Sequence, residues 1–456
     1  MSIEDLTTGT FHDKTQKMTR RTFVGASLGA VALGSLPLLQ GCGSSSSSST
    51  GKVTIEMWVW ETETQWKEVA QKAGLAKKFP NVIFKWTALP YDQLHQKALT
   101  ALGAGLPQGL PSIIRTGMPY YRAFANTGSI VDLTEQVGSY QNDILPAVWQ
   151  GTQINGKIYQ VPDDTGVMLL GYREDLMQKA GLPTDPNQVA DAIKSYDDLI
   201  TVGQTLKRKI GAGLFNELPG DVFNNLILQD STGYFDKDGN VIFDSDYHVE
   251  VANISKKIWN SGLTTHYEQV PQQWQAYKNA QLAMMFYPNW QDFTVLDNAP
   301  DLKGKLKVTK LPAVKPGGKR ATAADGVCLT IPSSIPEDQR NIAIEVAKFL
   351  KLTKDATVAH MQTFSGAFVS YTPGIDAMTN AVSPVLDSQK TYQVYLNAAR
   401  EESILPWYRT SVFFSNATEA VSNALFKILK QNAPIQATLK NAADSIRQLQ
   451  ASKGTK

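Results

Sequence analysis

Apolar and polar residues alternate along 53–60 (Val-Thr-Ile-Glu-Met-Trp-Val-Trp), the two-residue period of a strand with one face in a core. The pattern then changes. Residues 62–78 read as a helix stopped by Phe79-Pro80, and 81–86 read as a second strand. A helix over 91–104, a short buried strand at 111–114 and a helix over 119–127 closed by Gly128 follow. Further on, 156–162 predict a turn and strand, 167–172 a strand, and 174–180 and 197–209 helices. Asp238-Gly239 between Tyr234-Phe235 and Val241-Ile242-Phe243 is a hairpin signal. Residues 300–320, rich in Lys, Pro and Gly, read as surface connection, and 326–331 as a buried strand. In 337–350, Ile342, Val346, Phe349 and Leu350 recur on one helical face, and 415–449 are helical apart from Pro434. Strands alternating with helices at this spacing predict βαβ units and a largely parallel sheet, the α/β class.

The apolar run at 24–39 is of another kind. It contains Gly25, Gly29, Gly34 and Pro37 and falls short of the about 20 apolar residues a spanning helix needs. It reads as the apolar region of an export signal. Arg20-Arg21 ahead of Phe23 resembles the twin-arginine signal, with an ordinary basic export signal as the alternative. Leu39-Gln40-Gly41-Cys42 resembles the lipobox of bacterial lipoproteins, which implies cleavage before Cys42 and acylation of its thiol. The serine tract at 44–49 is a flexible tether. Residues 1–41 are therefore expected to be a signal peptide. Residues 42–51 are expected to be a lipidated cysteine and linker that hold an extracytoplasmic globule at a membrane. No later run is apolar enough to span one.

The length beyond residue 51 suggests two lobes, at roughly 100–200 residues per domain. A composition 42% apolar and 19% charged fits a soluble globule. The formal charge of +2 gives no support to a nucleic-acid partner. Cys328 is the only cysteine besides Cys42, and its neighbours Val327 and Leu329 mark it as a small buried hydrophobe. The 9 Trp and 16 Tyr outnumber the 5 His, and aromatic rings suit ligands with apolar faces such as sugars.

Catalytic motifs are tested and set aside. Gly25-Ala26-Ser27-Leu28-Gly29 fits a nucleophile-elbow pattern but lies inside the export signal, away from any strand–turn–helix context. No zinc-protease, Cys-x-x-Cys or phosphate-loop motif occurs, and the histidines are scattered without metal-ligand spacing. The spaced oxygens of 236–240 lack the glutamate of a calcium loop. No metal and no cofactor are expected. Asp163-Asp164 is a carboxylate pair, yet neighbours on an extended segment point to opposite faces and do not flank one bond.

Several blocks together resemble the sugar-binding, maltose-binding-protein-like family of extracytoplasmic solute-binding proteins of ABC transporters. Gly156-Lys157-Ile158-Tyr159-Gln160-Val161-Pro162 is similar to the family's GKIYGVP. Leu170-Gly171-Tyr172-Arg173-Glu174-Asp175-Leu176 with Lys179-Ala180-Gly181-Leu182-Pro183 resembles LYYNKDLFEKAGLP, with Gly171 in place of an aromatic. Ser195-Tyr196-Asp197-Asp198-Leu199 parallels TWDEL. Residues 277–285 followed by Asn289-Trp290 resemble FxxGKAAMxxxGxW, with Asn279-Ala280-Gln281 replacing the usual Gly-Lys.

The resemblance implies a two-lobed periplasmic-binding-protein-like fold of type II, with discontinuous lobes joined by a multi-strand hinge. The lobes are expected at 52–163 plus 325–372 and at 164–324 plus 373–456. Crossings fall near 163–165, 324–326 and 370–374. It further implies a sugar or oligosaccharide captured in the cleft, delivery to an ABC transporter permease, no catalysis, and a monomer.

Loops at strand ends supply the candidate ligand-binding residues. These are Trp60, Glu61 and Glu63 after the first strand and Arg115, Tyr120 and Tyr121 after Ile114; the resemblance further implies Asp163 and Asp164 at the first crossing, Asp325 and Gly326 at the second, Asn289 and Trp290 where the family often places a stacking tryptophan, and Trp407, Tyr408 and Arg409 in the C-terminal lobe. Core packing is the competing role for each ring, and solvated surface for each charge. Arg115 and Arg409 suit bidentate binding of a carboxylate, which points to an acidic sugar, while the Asp and Glu of the same set oppose it. Two other functions are weighed: a binding protein for a non-sugar solute such as a polyamine or peptide, and an extracellular glycosidase or lyase.

Overall fold

The computed structural model describes residues 52–105, 109–324, 326–401 and 411–454. The expectations for the export signal, Cys42, Asp325, Trp407, Tyr408 and Arg409 lie outside these residues. Eleven strands occur among the described residues. They are β1 (Val53–Val59), β2 (Val82–Ala88), β3 (Ile113–Gly117), β4 (Gln153–Ile154), β5 (Lys157–Ile158), β6 (Val161–Pro162), β7 (Val167–Arg173), β8 (Met284–Pro288), β9 (Leu306–Thr309), β10 (Thr322–Ala323) and β11 (Val327–Thr330). No described helix is long and apolar enough to cross a membrane.

Two larger sheets organise the chain. The first has the order β2-β1-β3-β11-β6, and the second β10-β7-β8 with β9 also paired to β7. In the first, β2 and β3 run parallel to β1, while β11 runs antiparallel to both β3 and β6. Every strand pair of the second is antiparallel. The largely parallel sheet expected from the spacing is therefore confined to β1–β3. The reason is that the chain enters β7 and β11 from the opposite sheet instead of through a helical crossover.

The period-2 patterns do what they predict. Ile55, Met57 and Val59 of β1 enter one buried cluster, and Trp58 enters the cluster on the other face of the sheet. In β7, Leu170 and Tyr172 enter one cluster while Val167 and Leu169 enter another. Helix starts follow their caps. Thr62 and Gln65 form a reciprocal capping box before Glu63–Lys72, and Ser195 and Asp198 form one before Tyr196–Ile210. The helix expected over 62–78 is broken at Gly74, whose φ of 71° starts the short Leu75–Lys78 turn. The 300–320 segment differs from its reading as surface. Leu306 and Val308 are buried in β9, whose alternation is hidden among the lysines that flank it.

One of the two departures from the family blocks has a steric reason. A Cβ on Gly171 would lie 2.5 Å from Cδ2 of Tyr287, so the small residue makes room for a buried ring whose hydroxyl donates to Asp292 at 2.7 Å. Ala280 stands where the family motif has glycine and keeps the left-handed backbone, with φ of 58°.

The chain passes between the sheets from β6 to β7 and again from β10 to β11. These passages and the 368–370 segment lie side by side. Asp163 N donates to Val327 O (3.1 Å), Val327 N to Asp164 O (2.9 Å), Thr165 N to Phe368 O (2.8 Å) and Ser370 N to Asp163 O (2.7 Å).

Candidate ligand-binding site

A cleft of about 470 Å³ lies over these passages, within the range of small-ligand sites. Its rings are Trp60, just beyond β1; Tyr91, at the start of the Tyr91–Gly103 helix; Trp290 and Phe293, at the start of Gln291–Asn298; and Phe364. Glu61, Arg115, Asp164, Asn289 and Gly326 also line it. Trp60 packs edge-on against Tyr91 at 5.1 Å, and His95 sits 4.3 Å from Tyr91. His95 Nε2 accepts from Gly117 N at 2.8 Å, so its Nδ1–H donates to Tyr91 O at 2.7 Å. Burial pushes this imidazole down to about 4, which keeps the support neutral. Trp290 stays 37% exposed, an unusual state for a large ring and one that leaves a stacking face open.

The cleft floor is an ionic cluster. Arg115, on β3, donates Nε to Asp163 Oδ2 (3.1 Å) and Nη2 to Asp164 Oδ2 (2.6 Å), and its Nη1 pairs with Glu61. Its guanidinium lies 4.5 Å from the Trp60 ring centre. Lys351, the last residue of the Glu337–Lys351 helix, is 1% exposed and pairs with Asp163. His360, on the Lys354–Thr363 helix, has Nε2 3.1 Å from Asp164 Oδ2 and Nδ1 3.2 Å from Lys351 Nζ. An ammonium only donates, so Nδ1 accepts and Nε2–H donates to Asp164. Burial draws the His360 imidazole below its usual range, with Asp164 opposing and Lys351 reinforcing. Burial alone would raise the Asp164 carboxyl; His360, Arg115 and Lys351 overcome it and hold the group well below the usual carboxylate range.

Asp163, Asp164 and His360 each place a possible metal-ligating atom within 4.8 Å of the others. The donor set does not suit a metal ion, because Arg115 and Lys351 already supply the positive charge and His360 Nδ1 faces an ammonium.

Of the candidates read from the sequence, Trp60, Glu61, Arg115, Asp164, Asn289, Trp290 and Gly326 line the cleft. Asp163 lies directly beneath, with a side chain fully shielded from solvent. The expectation that Asp163 and Asp164 point apart is corrected: the planar fork of Arg115 spans the peptide between them and draws both carboxylates together. Asn289 lines the cleft, but its amide is committed to backbone, accepting from Val167 N (2.8 Å) and donating to Gly366 O (2.9 Å).

Three candidates lie elsewhere. Glu63 is solvent-exposed in a first helical turn and paired to Lys67 at 2.8 Å. Tyr120 stacks on His95 at 4.2 Å, behind the cleft wall. Tyr121 is 2% exposed, and its hydroxyl donates to Thr152 O at 2.6 Å. Tyr120 and Tyr121 are adjacent in the Met118–Asn126 helix, and both pack into the same buried cluster. Sequence reasoning missed Tyr91, Phe293, Phe364, Lys351 and His360. Only the placement of Tyr91 just after a strand and Leu89-Pro90 offered a signal.

A family model described as bacterial extracellular solute-binding protein matches residues 60–357. The arabinooligosaccharide-binding protein of Bacillus subtilis (strain 168) is 26% identical over 344 residues, covering 72% of this chain and 75% of the relative. Among solved structures, an ABC transporter associated binding protein from B. animalis subsp. lactis Bl-04, in complex with beta-1,6-galactobiose, matches with TM-score 0.71 at 20% identity, covering 89% of this chain and 99% of that one. UgpB from Mycobacterium tuberculosis, in complex with glycerophosphocholine, matches with TM-score 0.71 at 18% identity, covering 88% and 100%. The fold is thus the two-lobed α/β architecture of type II periplasmic binding proteins. The two complexes also show that this fold alone does not fix the ligand, which has to be argued from the cleft.

Proposed function

The chain belongs to the bacterial extracellular solute-binding protein family, and from that membership we propose that it captures a sugar or oligosaccharide outside the cytoplasm and delivers it to an ABC transporter permease. The observation that carries the carbohydrate reading is the cleft lining. Trp60, Tyr91, Trp290, Phe293 and Phe364 offer ring faces to sugar C–H faces, while Glu61 and Asp164 offer acceptors to hydroxyls. Asp164 Oδ1 has no hydrogen-bond partner among the described residues. The similarity to an arabinooligosaccharide-binding protein supports the same ligand class.

Capture proceeds by closure of the lobes 52–163 plus 325–372 and 164–324 plus 373–456 about the side-by-side passages at 163–166, 324–327 and 368–370. The chain does no chemistry on its ligand. Asp164, held in its ionised form by Arg115 and His360, is unsuited to act as a general acid. Acylation of Cys42 and the 44–49 tether keep a monomeric binding unit beside its permease, after export by the twin-arginine route.

The test is a thermal-shift screen of the purified chain against neutral oligosaccharides, amines and peptides, followed by calorimetry. A cognate sugar at a hundred times Kd adds about 2.7 kcal/mol of stability. Trp290→Ala is expected to weaken its binding about tenfold or more, near 1.4 kcal/mol. Stabilisation by amines or peptides and by no sugar overturns the carbohydrate reading. Appearance of shortened oligosaccharide at catalytic rates overturns the non-enzymatic one.

A further inference from the structure

Arg115 is the one cation among the described residues that line the cleft, and it decides which charge a ligand is allowed to carry. An arginine in a binding cleft ordinarily invites a carboxylate or phosphate, which its planar fork grips through two nitrogens. Here each of its three nitrogens faces a carboxylate of the protein itself: Nε meets Asp163, Nη2 meets Asp164 and Nη1 meets Glu61. The surrounding charge does not release it. Glu61, Asp163 and Asp164 are three carboxylates against the two cations Arg115 and Lys351, and His360 is neutral because its Nδ1 accepts from Lys351. The cluster is left with one negative charge in excess, and two of its carboxylates, Glu61 and Asp164, lie on the cleft wall.

Glu61 is the member of the set that loops over from the end of β1. Its Oε2 accepts from Trp66 Nε1 at 3.1 Å, so it is braced from the Glu63–Lys72 helix while its other oxygen holds Arg115. Its side chain is 13% exposed, against 3% for Arg115. Glu61 therefore reaches the cleft with more of its surface than the guanidinium it holds.

Resting on the carbohydrate reading above, we propose that the cleft selects uncharged sugars and rejects anionic ones, uronic acids and sugar phosphates included, and that Glu61 sets this selectivity by occupying Arg115. An anionic group brought to the floor meets an excess of carboxylate and a guanidinium whose three nitrogens each already face one. A hydroxyl meets acceptors it can donate to.

The experiment is calorimetry on the purified chain with neutral oligosaccharides and with their uronate counterparts of the same length and linkage. The wild type is expected to bind the uronate form at least tenfold more weakly than the neutral one. Glu61→Gln, which leaves a neutral side chain of the same shape, is expected to shrink that ratio by gaining affinity for the uronate. Equal or tighter uronate binding by the wild type, alongside binding of neutral sugars, overturns the proposal and leaves the carbohydrate reading standing. Binding of neither class removes both. An unchanged ratio in a folded Glu61→Gln variant overturns the role of Glu61. If that variant does not fold, the wild-type pair of ligands decides the selectivity and Asp164→Asn, measured against the same pair, is expected to shrink the ratio in the same direction.

Discussion

Asp163 and Glu217 are withdrawn from water to the same degree, at 1% and 0% exposure, but they keep different company. Asp163 sits between Arg115 and Lys351, and its neighbour Asp164 between Arg115 and His360. Glu217 has no hydrogen-bond partner at either carboxylate oxygen among the described residues, and its nearest charged influence is Asp221, which repels it. The consequence is a reversal of protonation. His360, Arg115 and Lys351 hold the Asp164 carboxyl well below the usual carboxylate range, while burial, with Asp221 adding to it, pushes Glu217 up to about 8. Burial by itself does not decide whether a carboxylate is a charge; what has been buried with it does. The compensated group lies at the cleft and the passages between the sheets, where a fixed charge has something to do.

The sharpest way to break this comparison is to remove the compensation. Lys351→Met leaves Asp163 with Arg115 Nε as its remaining charged partner in a dry site. Stripping one partner from a buried ion pair costs about 3–5 kcal/mol, and denaturant unfolding should show a loss of that size. The double variant Lys351→Met with Asp163→Asn should recover most of it, because the stranded charge goes with the ammonium. A loss below about 1 kcal/mol in the single variant, the size of an exposed ion pair, would show that the cluster is solvated in practice.

The pH dependence of stability tests both halves at once. Glu217 has a folded value of about 8, above its ordinary 4.5, so between these the folded chain holds a proton that the unfolded chain lacks. Stability therefore falls as pH rises through this window and levels off above about 8. Asp164 has the opposite sign. Its contribution is full above the ordinary carboxylate value and is lost as pH falls below about 4 through its lowered folded value. Melting curves should accordingly fall off on both sides. Glu217→Gln should remove the alkaline limb, gaining about 5 kcal/mol at pH 9, and leave the acid limb in place. An unchanged alkaline limb in that variant would mean that Glu217 is not protonated at neutral pH.

The two sites were also unequally legible in the sequence. The strands and capped helices could be read because their periods are local: β1 alternates, and Thr62 and Ser195 announce the helices that follow them. Trp60, Glu61, Arg115 and Asp164 could be placed near a cleft because strand ends in an open sheet converge there. Lys351 could not. It closes a helix where a lysine ordinarily meets solvent and the helix dipole, and it is buried only because the Lys354–Thr363 helix returns to place His360 against it. Glu217 gave no warning either, since Asn216-Glu217-Leu218-Pro219-Gly220 reads as a polar turn. The Asp163–Asp164 pair misled for the same reason. Alternation along an extended segment is a rule about Cβ directions, and Arg115 arrives from a strand about fifty positions earlier to gather both carboxylates. Local pattern fixes elements; long-range company fixes charge.

The smallest expected effect isolates the like charge beside Glu217. Asp221 opens the Asp221–Asp230 helix, and its Oδ2 accepts from Leu218 N at 2.8 Å. Its own carboxyl is raised by burial, with the Leu218 hydrogen bond opposing. Asp221→Asn keeps an oxygen for that bond and removes the charge. The fall in stability governed by Glu217 should then level off at a lower pH, because ionised Glu217 is no longer repelled in the folded chain. The gain in the ionised form is offset by the loss of a favourable charge at a helix N-terminus, worth about 0.3–1 kcal/mol, so net stability at neutral pH should move by less than about 1 kcal/mol. The readout is thus the pH at which the limb levels off in melts of Asp221→Asn. A limb that stays in place would assign the raised value of Glu217 to burial alone. The contrast with Asp164 would then rest wholly on the cations that accompany one carboxylate and are missing beside the other among the described residues.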